Sequence, residues 1–174
     1  MPPTDPAIAV VVVAHNSAGD LPRTLGALRA QLREGDEVAV VDNGSADGSA
    51  GAARAALGER GTVIETGANL GFAGGCHAGV AATSAPLVLL LNPDCEVAPG
   101  CLDALRAVAG ERPEWGAWQA LVTLPGGHAV NTAGNLVHYL GFGWAGRLDE
   151  PVASVPNDPH EVGFVSGAAL AIRR

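Results

Sequence analysis

Residues Ile8–Ala14 read IAVVVVA, a run without polar interruption in which β-branched side chains dominate. Neither face of such a segment suits water. It fits a strand covered on both sides, as in a parallel sheet flanked by helices. Leu87–Leu91 (LVLLL) makes the same demand, and shorter strands are expected at 37–41 and 62–66. Helical patterns separate these runs. Leu21, Leu25, Leu28 and Leu32 are spaced to line one helical face, and Asp20 or Ser17 could serve as N-cap. An Ala-rich helix is expected over 45–57. Another should emerge from the glycine-rich stretch 67–79 and end near Thr83, and a further one should cover 99–109. This alternation predicts an α/β fold, a mostly parallel sheet with helices on both faces.

The second half is less regular. Residues 115–122 read as a strand, 125–159 are rich in Gly, Pro and Asn, and 162–172 read as a last strand interrupted at Gly167. No repeat or interdomain linker is visible, and 174 residues suit one domain.

Charge narrows the partners. The net charge is −8, all ten basic residues are arginine, and no basic run occurs, which argues against nucleic acid. An anionic small ligand would need local neutralisation by backbone amides or a metal. Cys76, Cys95 and Cys101 are odd in number and lack the paired spacing of a zinc site. They read as reduced thiols, which fits a cytoplasmic setting. Met1 to Pro6 carry no basic leader, and Ile8–Ala14 is too short to span a bilayer.

In open α/β sheets ligands bind beyond the carboxyl ends of the strands. Four such ends carry polar or glycine-rich tips: His15-Asn16-Ser17; Asp42-Asn43-Gly44-Ser45; Asn69-Leu70-Gly71-Phe72-Ala73-Gly74-Gly75; and Asn92-Pro93-Asp94. Each tip has two readings. Asp42 to Ser45 could be a turn and helix cap, or could offer a carboxylate to a nucleobase N–H or a ribose hydroxyl. Gly71, Gly74 and Gly75 could relieve crowding or let backbone approach a diphosphate. His15 could be a loop residue without a task. Asp94, directly after five buried aliphatics, could cap the next turn or coordinate a divalent cation that bridges two phosphates. Neither GxxxxGK[ST] nor a GxGxxG after the first strand is present. A nucleotidyltransferase would carry a Gly-rich, basic loop where this chain has AHNSAGD.

The ordered motifs VVVVAHN, VVDNGSADGS, ETGANLGFAGG and LLLNPDCEVAPG resemble the family 2 glycosyltransferases of the GT-A fold, most closely the rhamnosyltransferase-like branch. Likeness extends more loosely through GNLVHYLGFGWAGR to VGFVSGAALAIRR. The resemblance implies a Rossmann-like GT-A domain over 1–174, with a nucleotide-sugar-binding half at 1–110 and the start of an acceptor half, incomplete, at 111–174. It places His15 and Asn16 at the nucleoside, with Ser17 in the nucleotide-sugar site, and Asp42, Asn43 and Ser45 at the base and ribose. Asn69, Gly71 and Phe72 match an NxGF segment that closes over the nucleotide, with Gly74 beside it. Asp94 corresponds to the second acid of the family's metal motif, for Mg²⁺ or Mn²⁺, and Asn92 replaces the first. Ser166 and Gly167 match a segment lining the donor sugar and the acceptor. Cys76-His77 stands where relatives often carry asparagines. Adjacent residues on a helix point apart, so the pair is no catalytic dyad.

The implied reaction is inverting transfer of a sugar from a nucleoside diphosphate to an acceptor hydroxyl, on a cell-wall or polysaccharide glycan or a lipid-linked acceptor. Rhamnosyl transfer is the expectation from the branch. The implied location is cytoplasmic or peripheral at the inner face of the membrane. The family's catalytic base, a Glu-Asp carboxylate, is expected after Arg174, so no residue within the chain is assigned that role. The alternative expectation is a non-catalytic or degenerate nucleotide-sugar-binding domain. Apolar surface left uncovered in a shortened domain would also favour self-association.

Overall fold

The structure, a computed structural model, describes residues 6–174. The chain runs β1 (Ile8–Ala14), α1 (Leu21–Arg29), β2 (Glu37–Asp42), α2 (Ser49–Leu57), β3 (Thr62–Glu65), α3 (Gly71–Ala81), β4 (Leu87–Leu91) and α4 (Cys101–Glu111). Six short strands follow: β5 (Ala117–Gln119), β6 (Val122–Thr123), β7 (Val130–Thr132), β8 (Leu136–Val137), β9 (Gly143–Trp144) and β10 (Ala169–Arg173). The main sheet has the order β3-β2-β1-β4-β10-β5. Strands β1 to β4 are mutually parallel, whereas β10 runs antiparallel to both β4 and β5. No helix among the described residues is long and apolar enough to cross a membrane.

The unbroken apolar runs behave as their composition requires. Every residue of β1 and β4 is buried, because helices cover both faces, unequally. Alternate residues Ile8, Val10, Val12 and Ala14 join Leu21, Leu25 and Leu28 of α1, Leu57 of α2 and Leu102 of α4 in one core. The three α1 leucines are fully buried, each contributing about 1.5–3 kcal/mol relative to exposure. Val11 and Val13 face the other way, with Ala39, Val41 and Cys76. On that side α3 lies close because it presents glycine. A Cβ on Gly75 would come within 2.5 Å of Val13 Cγ1, and one on Gly79 would overlap Val11.

Several boundaries differ from the sequence expectation, for local reasons. The second helix starts at Ser49 rather than residue 45. Residues 45–48 are held instead as a turn, in which Asp47 Oδ1 accepts hydrogen bonds from the Ser49 backbone and hydroxyl at 3.0 and 2.6 Å. Neither Asp20 nor Ser17 caps α1 with its side chain. The Ser17 carbonyl accepts from the Asp20 and Leu21 amides, and Pro22 occupies the first turn. That helix stops at Arg29, so Leu32 packs on the core from a loop. The fourth helix begins at Cys101, not residue 99. Of the stretch 115–122 only Ala117–Gln119 joins the main sheet, while Val122 pairs with β7. Of 162–172 only the part from Ala169 is strand, because the preceding residues bond instead to the Asn135 carbonyl and the Gln119 side chain.

Candidate functional site

The chain steps outward from β1 to β2 to β3, then returns through α3 to β4 on the other side of β1. The carboxyl ends of β1 and β4 therefore diverge at a topological switch point, the usual ligand crevice of an open α/β sheet. Val12 pairs with Leu91, so His15 and Asp94, each three residues further on, leave neighbouring strands at matching positions. Thr24 ties α1 to the β4 end, its hydroxyl donating to the Pro93 carbonyl at 2.8 Å.

Asp42 ends β2 and is 6% exposed. Its backbone carbonyl accepts from the Thr66 amide and hydroxyl, both at 3.1 Å. Its side-chain Oδ1 is buried without any hydrogen-bond partner among the described residues. A buried acceptor left unsatisfied costs about 1–3 kcal/mol, so a ligand N–H or O–H brought to it would recover that energy.

Asn43 does a different job from its neighbour. It is 2% exposed, and its Nδ2 donates to Asn69 Oδ1 and to the Gly71 carbonyl, both at 3.1 Å. Its Oδ1 accepts from the Leu70 amide at 2.9 Å. Asn69 Oδ1 also accepts from the Gly71 amide at 2.8 Å. Asn43 is thus committed to fixing the loop that opens α3. Gly44 permits the same approach, because at φ +75° a Cβ would sit 2.6 Å from the Ala68 carbonyl carbon.

The first strand's tip is pinned to this assembly. His15 Nδ1 lies 3.0 Å from the Asn43 carbonyl. Asn16 adopts φ +54°, a left-handed conformation that Asn tolerates better than most residues. It receives a hydrogen bond from the Ala46 amide on Oδ1 at 2.9 Å, and its own amide donates to Ser45 Oγ at 3.0 Å. The Ser17 amide donates to Ser49 Oγ at 2.8 Å, and the Ala18 amide to Asp47 Oδ2 at 2.9 Å. Hydrogen bonds from Ser49 and Ala18 hold the exposed Asp47 carboxyl below its ordinary range. Gly74 has its own steric reason: a Cβ there would lie 2.7 Å from Leu70 Cβ.

The structure brings a second group to the β4 end. The Asn92 amide donates to the Ala168 carbonyl at 2.9 Å. The half-exposed Phe72 ring lies over Gly167, where a Cβ would sit 3.2 Å from it. The Ser166 amide donates to Gln119 Oε1 at 2.7 Å, which also accepts from Asn135 Nδ2 at 3.1 Å. A cleft of about 1360 Å³ opens here, walled by Asn92, Asp94, Leu105, Val108, Trp118 and Gln119.

Asp94 is exposed, and its carboxylate lies near the Cys95 thiol. Burial, reinforced by that carboxylate, pushes the Cys95 thiol up to about 11, so it stays protonated at neutral pH. No cluster of three His, Cys, Asp or Glu residues suited to a metal ion occurs among the described residues. A cation of the Mg²⁺ type takes only one or two carboxylates and completes its shell with water and substrate phosphates, and Asp94 offers one carboxylate at the end of β4.

Four residues escaped the sequence reading: Asp47, Thr66, Gln119 and Asn135. The Asp47-Gly48-Ser49 turn had a local signature, an acid followed two positions on by a serine. Gln119 and Asn135 had none, since each is an isolated polar residue in irregular sequence.

Comparison with known proteins bears on the family and the fold. Residues 9–124 match the profile of "Glycosyl transferase family 2". Over 189 aligned positions the chain is 28% identical to N-acetylglucosaminyl-diphospho-decaprenol L-rhamnosyltransferase of Mycobacterium tuberculosis, in strains CDC 1551 / Oshkosh and ATCC 25618 / H37Rv alike. The match covers 96% of this chain and 61% of the relative, so the chain spans about three fifths of the curated relatives' length. Among solved structures, the mannosyltransferase PcManGT from Pyrobaculum calidifontis, in complex with GDP-Man and Mn²⁺, superposes with a TM-score of 0.68 at 19% identity. That superposition covers 99% of this chain and 46% of the other. S. aureus TarS gives 0.68 at 16% identity, over 96% and 47%. Both likenesses concern the fold, which is that of the GT-A transferases.

Proposed function

The chain belongs to glycosyl transferase family 2, and from that premise we propose that it forms the donor site of an inverting transferase that moves a sugar from a nucleoside diphosphate to an acceptor hydroxyl. The observation that carries this is Asp42, a buried carboxylate with an unmatched oxygen beside the switch point. A nucleobase ring N–H satisfies such an acceptor, whereas a purely structural cap would already be bonded.

Each residue then has a task. Asp42 reads the base edge. Asn43, already occupied, holds Asn69 to Gly71 so that the amino end of α3 faces the diphosphate, where helix amides favour an anion. His15 and Asn16 bound the nucleoside side, and Phe72 with Ser166 and Gly167 closes the sugar side. Asp94 would hold the divalent cation, which when bound stabilises charge on the departing diphosphate. The acceptor oxygen forms a bond to the anomeric carbon as the carbon–oxygen bond to the diphosphate breaks, with inversion. A carboxylate takes the acceptor's proton. From the M. tuberculosis relative we infer an L-rhamnosyl donor and a lipid-linked acceptor, used in cell-wall or polysaccharide synthesis. Such an acceptor implies a cytoplasmic protein working at the inner face of the membrane.

A thermal-shift panel of nucleoside diphosphates and their sugars, each with Mn²⁺, with Mg²⁺ and with chelator, tests the proposal. At a hundredfold excess over Kd a cognate ligand should stabilise the chain by about 2.7 kcal/mol. Asp94→Ala should remove the metal-dependent part alone. Asp42→Ala should weaken free nucleosides as well. Unchanged binding in both variants would rule out this site.

A further inference from the structure

Gln119 is the last residue of β5, at one edge of the main sheet. Strand β10 joins it to the rim already described, because Leu170 pairs with Leu90 on one side and with Gln119 on the other. Two antiparallel steps make β5 parallel to β4, so the carboxyl ends of both strands open on the same side of the sheet. They stand two strand spacings apart, about 10 Å. Asn92, Asp94 and Gln119 line one cleft.

The orientation of the Gln119 amide is forced by a relay of hydrogen bonds that starts at a backbone N–H. The Gly146 amide donates at 3.3 Å to Asn135 Oδ1, which also accepts from the Thr132 hydroxyl. A backbone N–H can only donate, so that atom of Asn135 is the oxygen, and its Nδ2 is left to face Gln119. This Nδ2 donates to Gln119 Oε1 at 3.1 Å, and the Ser166 amide donates to the same oxygen at 2.7 Å. Thr132 and Asn135 are buried, so the relay is fixed from inside the protein. It ends on Gln119 Nε2, whose hydrogens meet no acceptor among the described residues and which keeps access to solvent. A glutamate would serve the two incoming N–H groups at least as well, through charge-assisted bonds. What glutamine adds is a donor.

Direction along the rim says what that donor meets. In the donor-site reading Asp42 of β2 takes the base and Asp94, after β4, the diphosphate. The nucleotide then runs in the sense β2, β1, β4. The next strands in that sense are β10 and β5, and the group carried beyond the diphosphate is the sugar. We propose that Gln119 is a sugar-recognition residue, donating from Nε2 to an oxygen of the transferred sugar. This inference rests on the donor-site reading and extends it from the nucleotide to the sugar.

The test uses Gln119→Glu, which keeps an oxygen for Ser166 and Asn135 and removes only the donor. The 174-residue chain and the variant are titrated calorimetrically with UDP and UDP-glucose, GDP and GDP-mannose, and dTDP and dTDP-L-rhamnose. Mn²⁺ is present, at a salt concentration that screens charges beyond roughly 8 Å. For the pair that binds, the variant should lose about tenfold in affinity for the nucleotide sugar, the worth of one hydrogen bond. Its affinity for the diphosphate alone should be unchanged. In ¹⁵N-resolved NMR spectra the Gln119 side-chain amide pair, identified by its absence from the variant, should shift with the nucleotide sugar and not with the diphosphate. Equal losses for both ligands, or no loss for either, overturn the proposal, as does an amide pair that ignores the sugar. Diphosphate binding retained by the parent chain in those cases leaves the donor-site reading standing, whereas a parent chain that binds none of the six ligands overturns both.

Discussion

Asp42 and Asn43 are adjacent, both buried and both polar, yet they answer to opposite demands. One has an acceptor to spare, and the other spends both ends of its amide on the 69–71 loop. Asn43→Ala is therefore expected to cost about 1–3 kcal/mol, by leaving buried partners of that loop unpaired. It should also lower nucleotide affinity indirectly, through the loosened loop. Urea unfolding and nucleotide titration of the same variant check both effects, and loss of affinity at full stability would contradict the latch role. Asp47 supplies a pH signature. Its folded-state value lies below the ordinary 3.8, chiefly through the Ser49 hydroxyl. Its contribution is thus fully present above 3.8 and is lost as pH falls through the lower folded value. The melting temperature of Asp47→Asn should fall below that of the parent at pH 7, and the two should converge in strong acid. A gap independent of pH would deny the carboxylate its role.

At the scale of elements, α3 is the exposed test of how closely a helix can lie on a sheet. Its glycines at 75 and 79 are dictated by Val13 and Val11, not by helix propensity, which glycine lowers. Gly79→Val should destabilise by about 1–3 kcal/mol through overpacking. Gly26, by contrast, is exposed on α1 with nothing near the space a Cβ would take. Gly26→Ala should stabilise by about 0.5–1 kcal/mol. Paired chemical denaturation of the two variants would show the opposite signs. Elements whose signal was periodic were legible: the runs forming β1 and β4, and the leucine stripe of α1. The start of α2 was misread because helix-favouring alanines extend back to Ala46, while the Asp47 turn outbids them locally.

In the molecule as a whole, the end of the sheet opposite the crevice is held by a buried ion pair. Arg106 of α4 reaches Asp36, both side chains being 1% exposed. Arg106 Nε also donates to the Pro6 carbonyl at 3.2 Å, and the Ile8 amide donates to Asp36 Oδ1 at 3.0 Å. Arg106→Met strands a buried carboxylate and should cost about 3–5 kcal/mol, measured by urea unfolding, with the nucleotide site intact wherever the chain remains folded. Sequence alone determined the α/β class and the rim, because strand burial and strand-end polarity are local patterns written in consecutive residues. It also determined which residue types stand at the rim, including Asp42 and Asp94. Only the tertiary structure decided that β10 enters antiparallel between β4 and β5, and that Gly167 and Ala168 come up to Phe72 and Asn92. It also decided that Asn43 is a latch while Asp42 keeps an acceptor unmatched. These are matters of which distant groups meet, and hydrogen bonds across 20 or more residues leave no period in the sequence from which to infer them.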